Sequence, residues 1–122
     1  MVLKHIGKIT KKVDSMSRVL SLAEIKELEL QMLSVFSEFC EEHNLTYYLC
    51  GGTLLGAIRH KGFIPWDDDI DVCMPRADYD KFIELYSQSD NNIYQVKSNR
   101  LHNFTAPFAK LVDIRTDASR VY

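Results

Sequence analysis

The sequence predicts an α+β (α/β) domain in which a small mixed β-sheet is flanked by helices. Three observations predict it. Apolar residues recur at three- and four-residue steps behind a helix-start signal at Ser21. Residues 69–74 alternate in strand fashion. Along the chain the signals run helix, strand, helix, strand, helix, strand, strand, an order that suits a mixed sheet. At 122 residues the chain has room for one small domain with a real core.

The first helix opens on Ser21 to Glu24, which reads Ser-x-x-Glu, a capping box. Leu22, Ile25, Leu28, Met32, Val35, Phe36 and Phe39 give it one apolar face, expected to be core. It should stop near His43 and Asn44. Residues 47–50 are expected to form a short buried strand, ended by Gly51 and Gly52. A short helix over residues 53–60 follows, with Thr53 as its cap. Residues 61–66 hold Gly62 and Pro65 and form a loop. The next strand covers residues 69–74. Pro75 suits the first turn of a third helix, whose buried face is Tyr79, Phe82, Ile83 and Tyr86. After a turn at residues 87–92, two more strands are expected at residues 93–98 and 107–114.

Charge and cysteine usage narrow the partners. The formal net charge is -2, so nothing draws the chain as a whole to nucleic acid, and none is expected as a partner. Residues 1–20 hold Lys4, Lys8, Lys11, Lys12 and Arg18 against Asp14 alone. They are expected to form a flexible, basic N-terminal segment able to touch an anionic membrane surface. Cys40, Cys50 and Cys73 have no metal-site or disulfide spacing and sit in apolar stretches, where a free thiol behaves as a small hydrophobe. This usage and the lack of an apolar leader point to a cytoplasmic protein, with the inner face of the membrane as a further location.

The chemistry concentrates in two places. Residues 67–71 read Asp-Asp-Asp-Ile-Asp. Four carboxylates in five positions repel one another, so folding alone would not select them. In a strand, Asp69 and Asp71 share one face while Ile70 and Val72 share the other. Two such carboxylates form a hard oxygen site for Mg²⁺ or Mn²⁺. A solvated acidic turn is the plain alternative, but Ile70 and Val72 tie these aspartates to a buried strand. An EF-hand loop fails, because Val72 stands where its glycine must be. The second place is Gly51-Gly52-Thr53, between a strand and a helix. There the backbone can approach an anion and free N–H groups can bind it. A plain turn would look the same; the acidic strand downstream is what gives the turn meaning.

Three further residues are candidates. Arg59 closes the short helix and suits both a substrate phosphate and the helix dipole. Lys110 and Asp113 lie at odd spacing on one strand, so only one can face the site. Asp113 reads equally as a third acidic ligand or general base and as an edge-strand aspartate.

Residues 51–71, reading Gly-Gly-Thr-Leu-Leu-Gly-Ala-Ile-Arg-His-Lys-Gly-Phe-Ile-Pro-Trp-Asp-Asp-Asp-Ile-Asp, closely resemble the LicD family. So does the continuation Met-Pro-Arg-Ala-Asp-Tyr-Asp-Lys-Phe at residues 74–82. The resemblance runs over roughly residues 21–116. It implies a nucleotidyltransferase-like fold, shared with the fukutin proteins. It also implies a transferase moving phosphorylcholine, or another polyol phosphate, from a CDP-linked donor to a sugar of a surface glycan such as lipopolysaccharide or teichoic acid.

The family pattern is a Gly-Gly turn, an Asp-x-Asp strand and a third acidic residue on a later strand. Gly51, Gly52, Asp69 and Asp71 match it directly. On this reading Asp69 and Asp71 hold Mg²⁺, Gly51, Gly52 and Thr53 hold phosphate oxygens, and Arg59 and Lys110 offset charge on the leaving nucleotide. Asp113 is the candidate proton acceptor. LicD proteins continue through a segment resembling Asp-Ile-Phe-Pro that this sequence lacks. Residues 21–122 are therefore expected to be the N-terminal core of such a domain, incomplete at its C-terminal side. Two alternatives keep the same fold: an inactive nucleotide-binding module and a minimal nucleotidyltransferase.

Overall fold

A computed structural model describes residues 20–63, 70–90, 93–103, 105, 108–115 and, for the backbone, 2–6, 12–13 and 117–118. Five strands form one mixed sheet in the order β3-β4-β1-β6-β5. These are β1 (Val2–Ile6), β3 (Tyr48–Leu49), β4 (Ile70–Met74), β5 (Tyr94–Lys97) and β6 (Lys110–Asp113). The pair β1 and β6 is parallel; β1 with β4, β3 with β4 and β5 with β6 are antiparallel. Strands β2 (Lys12–Val13) and β7 (Asp117–Ala118) pair in a second, two-stranded sheet. The α+β class and the mixed sheet agree with the sequence-based expectation.

Helix α1 (Leu22–Glu42) starts where the capping box requires. The Glu24 N–H donates to Ser21 Oγ at 3.2 Å, and the Ser21 N–H donates to Glu24 Oε1 at 3.3 Å. It ends at His43, followed by Asn44 with φ of 54°. Helix α3 (Arg76–Ser87) starts directly after Pro75 and buries Tyr79, Phe82, Ile83 and Tyr86 as the pattern predicts.

The core lies where these two helices meet one face of the sheet. Ile70, Val72 and Met74 of β4 are buried against Met32, Phe36 and Phe82. Aromatic edges lock the helices together: Phe36 meets Phe82 at 4.9 Å between centroids, and Phe39 meets Tyr86 at 4.9 Å. Such edge-to-face pairs add about 0.5–1.5 kcal/mol each beyond the area they bury.

Four features differ from the sequence reading. The first twenty residues, read as a basic terminus, contribute β1, the central strand of the sheet. Its five residues, Val-Leu-Lys-His-Ile, alternate poorly, so the lysines dominated the pattern. Tyr48, expected in a buried strand, is 54% exposed, because β3 is an edge strand and Tyr48 opposes Cys73 on the uncovered face. Helix α2 (Gly51–Arg59) begins at Gly51, with Cys50 as its cap, two residues before the predicted start. Glu29, on the core-facing side of α1, is fully buried. No helix among the described residues is long and apolar enough to cross a membrane.

Candidate active site

The site grows from the junction of β3, α2 and β4. Strand β4 alternates strictly, with Ile70, Val72 and Met74 in the core and Asp71 and Cys73 on the opposite, open face. The Cys50 N–H donates to the Asp71 carbonyl at 3.2 Å, extending the ladder by one bond beyond β3. The chain then turns at Gly51, whose φ is +57°. This is the left-handed region that glycine tolerates and other residues rarely adopt. The turn aims the start of α2 at Asp71: a Cβ on Gly51 would lie 3.7 Å from Asp71 Oδ2.

Thr53 does not cap α2. Its Oγ1 accepts a hydrogen bond from the Asp71 backbone N–H at 2.8 Å. The side chain that sequence spacing assigned to helix capping therefore ties the first turn of α2 to the acidic strand.

The start of an α-helix presents unpaired N–H groups and a positive dipole end, which favour an anion. Here the carboxylate of Asp71 lies beside that end. A phosphate entering the same corner would meet it at close range, and a divalent cation between the two turns repulsion into attraction. Asp71 is half-buried and offers the hard oxygen that Mg²⁺ selects. Among the described residues no three His, Cys, Asp or Glu side chains come together as a metal site. Asp69, the partner expected from the Asp-x-Asp spacing, lies outside the described residues, as do Asp67 and Asp68. Of the four aspartates of this run, Asp71 is the one among the described residues.

The sheet register separates Lys110 from Asp113. Lys110 and Asp71 both pair with His5 across β1, so they share the open face. Asp113 belongs to the opposite, core face, with Leu111. It is 2% exposed and held by Arg115 three times over. Arg115 Nε donates to Oδ1 at 3.0 Å, Arg115 Nη2 to Oδ2 at 2.7 Å, and the Arg115 N–H to Oδ1 at 2.9 Å. The hydrogen bonds that it donates to Asp113 hold the Arg115 guanidinium above its ordinary pKa. Burial first, then the Asp113 charge, raises the neighbouring Tyr94 phenol. Asp113 thus sits across the sheet from Asp71, in a structural clamp that sequence spacing could not show.

Arg59 is exposed in the last turn of α2, with His60 as the cap. Eight residues separate it from Gly51, about 12 Å along the helix axis at the usual rise. It is therefore at the end of α2 remote from the glycine turn. Beside the turn lies an apolar cavity of about 240 Å³, walled in part by Leu33, Leu49, Ala57, Phe63 and Ile70.

The three cysteines are free. Burial and the Asp78 charge push the Cys40 thiol up to about 12. Burial, a hydrogen bond with the Cys73 thiol and the nearby Cys73 and Asp71 charges push Cys50 up to about 12. Thiols held neutral in this way are poor nucleophiles, in keeping with a packing role.

The stretch that builds this turn and strand lies within a match to a known family. Residues 44–119 match the model of the LicD/FKTN/FKRP nucleotidyltransferase domain, which covers more than half of the chain. The chain belongs to the LicD family. It is 44% identical over 99 residues to the lipopolysaccharide cholinephosphotransferase LicD of Haemophilus influenzae, a match covering 80% of this chain and 37% of that protein. It is also similar to uncharacterized proteins of Rickettsia typhi, at 31% identity over 83% of this chain and 33% of the relative, and of Rickettsia prowazekii, at 30% over 84% and 39%. The chain thus spans between 33% and 39% of the length of these curated relatives. No solved structure matches it.

Proposed function

We propose that this chain carries the donor-binding core of a Mg²⁺-dependent phosphotransferase with a nucleotidyltransferase-like fold. The enzyme would move phosphorylcholine, or a related polyol phosphate, from a CDP-linked donor to a sugar hydroxyl of a cell-surface glycan. The carrying observation is the placement of Asp71 against the Gly51 turn in a chain 44% identical to a lipopolysaccharide cholinephosphotransferase.

In this reading Asp71, with Asp69, holds the metal, which when bound supplies positive charge to the donor pyrophosphate. The N–H groups at the start of α2 hold phosphate oxygens, and Gly51 and Gly52 let those oxygens come close. Thr53 fixes the distance between this cradle and the acidic strand. Lys110, on the Asp71 face, offsets charge on the leaving nucleotide. Positioning and charge neutralisation are the main work in such a transfer. Arg59, remote from the turn, is better placed to meet a distal part of the substrate or the membrane surface that carries the acceptor. A carboxylate other than the clamped Asp113 would take the hydroxyl proton. The protein would work at the cytoplasmic face of the membrane, where a nucleotide-linked donor is available.

The test is calorimetric titration of the chain with CDP-choline, with and without Mg²⁺, using Asp69→Asn and Asp71→Asn as controls. Binding that needs Mg²⁺ and both aspartates supports the reading. Binding that survives both substitutions overturns it. Binding without transfer of labelled phosphorylcholine to lipopolysaccharide would favour an inactive nucleotide-binding module, and labelled nucleotide appearing on the acceptor a minimal nucleotidyltransferase.

A further inference from the structure

Helix α2 turns its apolar side to solvent. Gly56 is its buried residue, and Thr53 reaches the Asp71 N–H, so these two mark the side that faces the sheet. Leu54 and Leu55 lie four and three residues before Ile58, spacings that share one helix face, and this face is opposite. Leu54 and Leu55 are exposed, and Ile58 is 71% exposed. Leu30 of α1, also exposed, borders the same seam, because it walls the apolar cavity together with Ala57 and Lys61. A single exposed leucine is ordinary. Large aliphatic side chains gathered on adjoining helices form a patch of the kind that marks a contact surface.

The chain around this patch carries no negative charge. Residues 51–66 contain no Asp or Glu, although the whole chain has 17. At the C-terminal end of α2 stand Arg59, His60 and Lys61, all exposed. Among the described residues none of the three enters an ion pair. Lys61 holds a φ of 54°, the left-handed conformation that glycine adopts more easily, so the turn by itself does not select a lysine there.

An apolar helix face rimmed by cations fits the surface of an anionic membrane. Aliphatic side chains enter the acyl boundary, and the cations meet lipid phosphates. A protein partner fits less well, because a stable protein interface takes about 20–30 residues a side and this patch is far smaller. We propose that α2 docks the protein on an anionic membrane, with Leu54, Leu55 and Ile58 in the bilayer boundary and Arg59 and Lys61 on the headgroups. The helix has nine residues and is about 13 Å long. Lying in the boundary, it keeps the Gly51 turn at the membrane surface. The docking face rests on exposure and charge; that it serves an acceptor carried by the membrane rests on the phosphotransferase reading.

The experiment is co-sedimentation of the full chain with vesicles at low ionic strength, without donor or Mg²⁺. One vesicle is phosphatidylglycerol and phosphatidylethanolamine in equal parts, and the other is phosphatidylcholine alone. Binding to the anionic vesicle alone is expected. Ile58→Ser should weaken it about tenfold, in line with one aliphatic side chain no longer withdrawn from water. Lys61→Gln should weaken it about fivefold. Lys81→Gln, at an exposed position of α3, should leave it unchanged. Leu55→Ser serves should the Ile58 variant fail to fold.

No binding by the parent, equal binding to both vesicles, or equal affinity of the parent and a folded Ile58 variant overturns the proposal. So does an equal loss in Lys81→Gln, which would reduce the effect to net charge. A dimer that Ile58→Ser dissolves, in place of vesicle binding, gives the face to a second copy and overturns it as well. The two readings fail separately. Mg²⁺-dependent CDP-choline binding without vesicle binding keeps the function and removes the docking face. Vesicle binding that depends on Ile58, with no Mg²⁺-dependent CDP-choline binding, does the reverse.

Discussion

The Asp71 backbone N–H donates to Thr53 Oγ1 over 2.8 Å, so one hydroxyl joins the acidic strand to the first turn of the helix that follows Gly51 and Gly52. Thr53→Val keeps the shape of the side chain and removes the acceptor. An N–H left unpaired in a partly buried position costs about 1–3 kcal/mol. The denaturant midpoint should fall accordingly, and the KM for the donor should rise because the cradle loses its tie to Asp71. Thr53→Ser should restore both. A valine variant with parental stability and kinetics would show that the hydroxyl positions nothing.

Asp71→Asn keeps the size of the side chain and removes its charge. Under the proposed function metal affinity depends on that charge, so Mg²⁺-dependent donor binding and transfer should fall below detection while the thermal transition stays close to that of the parent. Normal turnover by the asparagine variant would remove Asp71 from the mechanism.

At Gly51 the effect of alanine is set by conformation, because the added Cβ would meet Asp71 Oδ2 at an ordinary 3.7 Å. A φ of +57° costs a non-glycine residue about 1–2 kcal/mol. Gly51→Ala should therefore lower stability by about that amount and weaken donor binding, since the methyl group also covers the carboxylate. Chemical denaturation alongside donor titration separates the two effects.

Asp113 and Asp71 should respond differently to the same change. Asp113→Asn loses part of a buried clamp with Arg115 and should destabilise the fold by about 1–3 kcal/mol. Mg²⁺-dependent donor binding by the folded variant should be unchanged. Loss of transfer in a folded, donor-binding Asp113→Asn protein would instead restore Asp113 as a proton acceptor.

The Cys50 thiol sets a direction for alkaline behaviour. Its pKa rises from 9.0 to about 12 on folding, so the folded state holds a proton that the unfolded state releases. The contribution is fully present below pH 9 and is lost as pH rises from 9 towards 12. Cys50→Ser, titrating only at higher pH, should flatten the fall in stability over that window. Maleimide labelling of Cys50 at pH 8 should be slow in the folded chain and fast in urea.

Much of the local structure was legible because it depends on near neighbours. The Ser21 and Glu24 box, the buried face of Tyr79, Phe82, Ile83 and Tyr86, and the alternation of β4 each follow from side chains a few residues apart. The turn at Gly51 and the facing of Asp71 were legible as well, because both are local geometry, although α2 starts two residues earlier than the spacing suggests. The opposed facing of Lys110 and Asp113 follows from the strand period of two. What spacing could not supply was which of the two shares a face with Asp71.

That choice belongs to the tertiary structure. It depends on β1, drawn from the start of the chain, lying between β4 and β6 and setting their relative register. The same register pairs Lys97 with Lys110 and leaves Asp113 to Arg115 on the core face. The sequence by itself determined the class of fold, the family and the chemical character of Asp71 and its glycine turn, all of which are encoded within short stretches. Only the assembled sheet decided which charges meet, because hydrogen bonds between strands distant in sequence, not spacing along one strand, put side chains on a common face.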